Sequence, residues 1–246
     1  MDGILRCSRY AFGPNRLHLC GPDANREIWD YVNAGFTDFG LQKLLTGFEA
    51  LYPYLRHIAR ENRITDPFDP RVVEAYWIGN DLLSHIEKRA LYTHLSDALR
   101  LKDKLTPTAY RALEERIGLG ILPNHNYHVL DVPKKMGHAD VIADTPFMDA
   151  CRISWGTVRA VDGPFITVLY EPLVQHDDQL ILGSPVEKRI TRSLAADYDI
   201  EMLQPGHTIT MHWDVPCELI DEKTLAQLRA HTARAVKIAN THFDKR

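Results

Sequence analysis

Two hydrophobic periods divide this chain. Up to about residue 120 apolar side chains recur three and four residues apart, as in Leu41, Leu44, Leu45, Phe48, Leu51, Leu55 and Ile58, which is the repeat of one helix face. Beyond residue 146 the runs RISWGTVRAV, PFITVLYEPL, QLILGSPVEKRI and HTITMHW are short, β-rich and separated by turn signals such as Asp162-Gly163-Pro164 and Pro205-Gly206. A sequence patterned for one period does not serve the other, so the expected class is α+β. Residues 1–145 read as a mainly α-helical domain. Residues 146–246 read as a small OB-like β-barrel with a C-terminal helix.

Local signals refine this. Pro22 and Asp23 open a helix that Gly35 stops, and Pro53 is expected to kink or split the helical stretch over residues 38–62. The aspartates of TDPFDP cap a short helix in RVVEAYWIGN, with further helices near residues 83–101 and 107–117. Asp221 caps a last helix with Leu225, Leu228, His231, Ala235 and Ile238 on one side. The opening stretch RYAFGPNRLHLCGP reads as irregular and NHNYHVLDV as β-like.

With 246 residues, 45% of them hydrophobic, the chain has material for two ordinary domains. The formal charge of −4 and the scatter of basic residues exclude a nucleic-acid footprint. No apolar run approaches the ~20 residues that span a bilayer, and MDGILRCSRY is neither a signal peptide nor a polybasic anchor. The expectation is a cytoplasmic protein with no membrane or nucleic-acid partner. Its four cysteines form no C-x-x-C pair, which argues against a closed structural zinc site.

Cys151, in DACRISWG, stands at the entrance to the first barrel strand beside Arg152, a cation that could favour its thiolate. A lone cysteine is more often a small packed hydrophobe. Its surroundings are more specific: Cys151 begins C-x-x-x-x-G-x-V-x-x-V-D-G, through Gly156, Val158, Val161, Asp162 and Gly163. This pattern resembles the opening of the HypC-type hydrogenase-maturation chaperones, and PGHTITMHWDVPCELIDEKTLAQL is similar to that family's closing strand and helix, with Pro205, Gly206, His212, Ile220 and Glu222 in register. The motifs YAFGPNRLHLCGP and VVEAYWIGN resemble an uncharacterised bacterial family found near hydrogenase genes, and that likeness covers the whole chain.

The resemblance implies that Cys151 and His212 are metal ligands for an iron centre carrying cyanide and carbon monoxide. It also implies that the partners are hydrogenase maturation proteins or the hydrogenase large subunit. In the chaperones the cysteine lies next to a free amino terminus. Cys151 is internal, so no α-amino group is available there, and a further donor is expected from within this chain.

Cys20, in LCGP ahead of a helix, and His128, in NHNYHV, are the candidate cofactor-binding residues of the helical half, with His138 of MGHAD a further one. If NHNYHV is a strand, His125 and His128 point to opposite faces, and each is more readily structural than ligating. Cys7 and Cys217 are weaker candidates, although Cys217 follows His212 closely. No phosphate loop, nucleophile elbow or H-E-x-x-H helix occurs. Three readings stand at this point: a hydrogenase-maturation accessory protein, an enzyme with a Cys/His site between the domains, and a scaffold whose thiols are incidental.

Overall fold

The computed structural model describes residues 1–132, 135–136, 141–142, 144–192 and 202–241. The chain is α+β. Its helices come first: α1 (Gly3–Asn15), α2 (Asn25–Ala34), α3 (Phe39–Thr46), α4 (Leu51–Glu61), α5 (Pro70–Trp77), α6 (Lys88–Thr93), α7 (Leu101–Lys104), α8 (Pro107–Leu119) and α9 (His125–Asp131). A two-stranded ribbon of β1 (Lys135–Met136) and β2 (Val141–Ile142) precedes α10 (Thr145–Cys151). Next come β3 (Ser154–Asp162), β4 (Phe165–Tyr170), β5 (Leu173–His176), β6 (Gln179–Leu182), β7 (Val186–Thr191), β8 (Thr208–His212), β9 (Val215–Ile220) and α11 (Glu222–Ala239).

The cap chemistry is local. Asp38, Asp69, Thr106, Asp144 and Asp221 each accept from a first-turn amide, and Gly35 and Gly120 end their helices in the left-handed conformation. The helical stretch over residues 38–62 does split, but at Gly47 to Ala50. Pro53 falls in the first turn of α4, where its missing N–H leaves no hydrogen bond unmade. Two expectations are corrected. The first half of the opening stretch, as far as Asn15, is helical within α1, because Asp2 caps it and Cys7, Tyr10 and Ala11 give it a buried face, while residues 16–22 are irregular as expected. NHNYHVLDV is α9 and not a strand, because Asn124 is an N-cap whose side chain accepts from the Asn126 amide.

Five strands pair antiparallel in the order β7-β4-β3-β8-β9, and β5 and β6 form a separate hairpin. Among the described residues this sheet is open, and the expected barrel is not closed. One apolar cluster runs from Cys7 and Tyr10 of α1 through α4, α5 and α9 to Ile153, Trp155, Cys217 and Ile238. A smaller one, including Val158, Ile166, Val168 and Ile209, belongs to the sheet. The helical half and the start of the sheet therefore share a core, and α9 lies within it. No helix among the described residues is long and apolar enough to cross a membrane.

Candidate metal centre

All seven residues of α9 are buried although its sequence, HNYHVLD, is polar. Burial of polar groups is tolerated when each finds a partner, and here the partners fix the helix. The Asn124 amide donates to the carbonyls of Ala75 and Tyr76 at the end of α5. The Asn126 amide accepts from the Ile153 N–H and donates to the Ile153 carbonyl and to Thr232 Oγ1 of α11. His125, between these two asparagines, is thereby set against both the helical half and the chain leaving Cys151. Its Nε2–H donates to the Cys151 carbonyl at 2.8 Å, and its Nδ1 lies 3.2 Å from Tyr76 Oη.

Cys151 ends α10 and His212 ends β8, and a single backbone bond joins these two ends. The Trp213 amide donates to the Ala150 carbonyl at 2.8 Å. The β8–β9 turn that permits it places Trp213 and Asp214 at φ of 52° and 60°, a left-handed pair that suits a tight hairpin but is costly for an aromatic residue. The result is that one ligand atom each from His125, Cys151 and His212 lies within 4.8 Å of the other two.

The two imidazoles differ. His212 donates from Nδ1 to the Tyr10 carbonyl at 2.7 Å, which fixes the tautomer and leaves the lone pair on Nε2. Burial pushes its pKa down to about 4, opposed by the Tyr10 and Cys151 backbone. The Cys151 carbonyl already accepts from His125, and His212 Nε2 makes no hydrogen bond of its own among the described residues. For His125 to coordinate through Nε2, its bond to Cys151 must be exchanged for a metal bond, and Nδ1 then becomes a donor to Tyr76. A partner of this kind is what orients a metal-bound histidine.

The three donors line a cavity of about 60 Å³ whose other walls include Ala11, Pro14, Phe48, Leu51, Tyr76 and Trp77. A family model described as "Family of unknown function (DUF6390)" matches residues 1–246. The chain belongs to the DUF6390 family. No curated protein and no solved structure matches it.

In this DUF6390 chain the structure brings Cys151 and His212 together, and Cys20 and His128 line the same cavity. His125 and His128 are three residues apart on one helix and both face the cavity, which corrects the opposite-face expectation. His128 is held by Tyr54 Oη at 2.9 Å from its Nδ1. Cys217 does not line the cavity: its thiol donates to the Val215 carbonyl, and burial pushes its pKa well up. Cys7 is likewise enclosed, pushed up to about 12 by burial. Arg152 is not a lining residue either, since its guanidinium is fully buried against Asp149 and the Glu171 carbonyl. His138 lies outside the described residues. His125 is the member of the trio that the sequence reading set aside, and the signal was Asn124, an N-cap residue placed to start a helix.

Proposed function

We propose that this protein is a cytoplasmic accessory factor of nickel-iron hydrogenase maturation that holds an iron fragment, with cyanide and carbon monoxide ligands, as cargo on Cys151, His212 and His125. The observation that carries the reading is the convergence of one thiol and two imidazoles within 4.8 Å in a small cavity. A soft thiolate with imidazoles suits low-spin iron bearing strong-field ligands. His125 supplies the donor that an internal cysteine cannot take from an α-amino group.

The size of the cavity supports a small cargo. A water-sized group needs ~10–15 Å³, so a cavity of about 60 Å³ holds several of them, room for a metal ion with small diatomic ligands. The hydrogenase context comes from the sequence likeness of the Cys151 and His212 segments to HypC-type chaperones. In this reading the five-stranded sheet with α11 is that family's barrel, opened against the helical half. The receiving partner is a maturation protein or the hydrogenase large subunit.

Protein purified anaerobically from cells making a nickel-iron hydrogenase should carry iron with cyanide and carbon monoxide stretches in the infrared. Cys151→Ala should lose both the iron and the hydrogenase activity of the cells. Iron-free wild-type protein, with hydrogenase activity unchanged by Cys151→Ala, would overturn the proposal.

A second reading is favoured by one observation, that the cavity is walled by both halves of the chain, a common setting for enzyme sites. It makes the trio the metal site of an enzyme that helps produce one of the ligands. Multiple turnover by the purified metal-loaded protein would select it over a carrier.

A further inference from the structure

Two thiols line the cavity, one from the buried Cys151 and one from the partly exposed Cys20. Of the described lining residues that are partly exposed, namely Leu19, Cys20, Ala50, Phe147 and Trp213, Cys20 alone bears a metal-ligating side-chain atom, since an indole N–H only donates. Cys151, His125 and His212 are buried further in, and the Nε2 of His212, 1% exposed and without a hydrogen-bond partner, belongs to a group that lines the same space.

The loop that carries Cys20 is built to hold it there. The Asn15 side chain, buried beneath it, donates to the Cys20 carbonyl at 2.9 Å and the Pro22 carbonyl at 2.8 Å. Gly21 has φ +84° and lies so near the Phe48 ring that an added Cβ would come within 2.3 Å, so the loop closes on a cavity wall as only glycine allows.

A buried metal site needs an entry path, and a soft cation needs a soft ligand along it. We infer that Cys20 is a capture ligand, which takes a soft metal ion at the cavity mouth and passes it inward to Cys151, His212 and His125. The inference rests on the metal-holding reading above and adds the route and the order of ligands. On capture a metal–Cys20 sulfur bond forms and the Cys20 proton goes to solvent. On transfer that bond breaks, a metal–Cys151 bond forms, and the Cys151 proton returns to Cys20, so one proton is released overall.

The experiment is stopped-flow loading of the full chain with Co²⁺ alone, followed by the thiolate-to-cobalt charge-transfer band. Wild-type protein should reach an end point of one thiolate per ion, and Cys151→Ser should lose the band. Cys20→Ser should reach the wild-type end point several-fold more slowly. Should Cys20→Ser fold poorly by circular dichroism, wild-type protein alkylated at Cys20 alone, as verified by peptide mapping, should show the same slowing. Loading at the wild-type rate without the Cys20 thiol would overturn the relay and leave the metal site standing. A two-thiolate end point in the wild type would also overturn it, by making Cys20 a permanent ligand. No band in any form would remove the site and the relay together.

Discussion

The Nδ1–H of His212 donates to the backbone carbonyl of Tyr10 at 2.7 Å, so a residue on β8 has its tautomer set by a helical residue 202 positions earlier in the chain. With Nδ1 occupied, the lone pair is on Nε2, the nitrogen with no hydrogen-bond partner among the described residues. His212→Ala should therefore abolish stoichiometric Co²⁺ binding. The fold should also lose about 1–3 kcal/mol, since the change removes the bond to the Tyr10 carbonyl and leaves a cavity, so binding is read on protein shown to be folded. Titration of the charge-transfer band, with circular dichroism as the control, checks this.

Tyr76 Oη lies 3.2 Å from His125 Nδ1 and can accept from it once Nε2 turns to a metal. Tyr76→Phe keeps the ring among Tyr54, Trp77 and His125 and removes only this partner. Loss of such a partner typically costs ~10–100-fold in metal affinity, and that is the expected loss in a competition titration.

Gly13 of α1 passes so close to the end of β8 that a Cβ there would stand 2.4 Å from the His212 carbonyl oxygen. Both sides of this contact are backbone, so Gly13→Ala must push α1 and β8 apart. A cost of about 1–3 kcal/mol is expected, as for other overpacked sites, read from the urea midpoint. Metal affinity should fall with it, because His212 moves.

Asn126→Ala removes the partners of the Ile153 amide and carbonyl and of Thr232 at once, all of them buried. A loss of about 3 kcal/mol or more is expected, since each orphaned buried group costs ~1–3 kcal/mol. Thr232→Val, which deletes one acceptor and keeps the shape, should cost about 1 kcal/mol. Equal urea midpoints for the two variants would contradict the role of Asn126 as the tie between α9, β3 and α11.

Burial lowers the pKa of four imidazoles among the described residues, His57, His94, His212 and His231. Burial pushes His212 and His57 down to about 4 and His94 to about 3, and His57 stacks on His94 with centroids 4.4 Å apart. The unfolded chain takes up these protons near the ordinary 6.5 and the native state does not. The imidazole contribution is therefore full above pH 6.5 and lost as the pH falls from 6.5 towards 4, by at most ~1.4 kcal/mol per imidazole per pH unit, while Asp131, pushed by burial up to about 8, adds stability over the same fall and offsets about one of them. Urea midpoints measured across that range should decline steeply. Asparagine at His57 or His94 should flatten the decline.

The α+β class, the caps at Asp69 and Asp221, the stop at Gly35 and most strands of the sheet were legible in the sequence, because each depends on a few adjacent residues and a local period. Cys151 and His212 were legible through their spacing to Gly156, Asp162-Gly163 and Pro205-Gly206. His125 was not, because NHNYHV alternates like a strand and only the Asn124 cap argues otherwise. The strand β9 was also unforeseen, since VPCELI has a proline and a glutamate, and Glu218 becomes tolerable only when Arg6 and Tyr10 of α1 reach it. What the sequence determined by itself was most of the locally encoded elements and the spacing that singled out Cys151 and His212. That His125, Cys151 and His212 meet was decided by tertiary structure alone. Their convergence depends on hydrogen bonds between distant segments, Asn126 to Ile153, Trp213 to Ala150 and His212 to Tyr10, and no local pattern encodes a contact whose partners lie 27 to 202 residues apart.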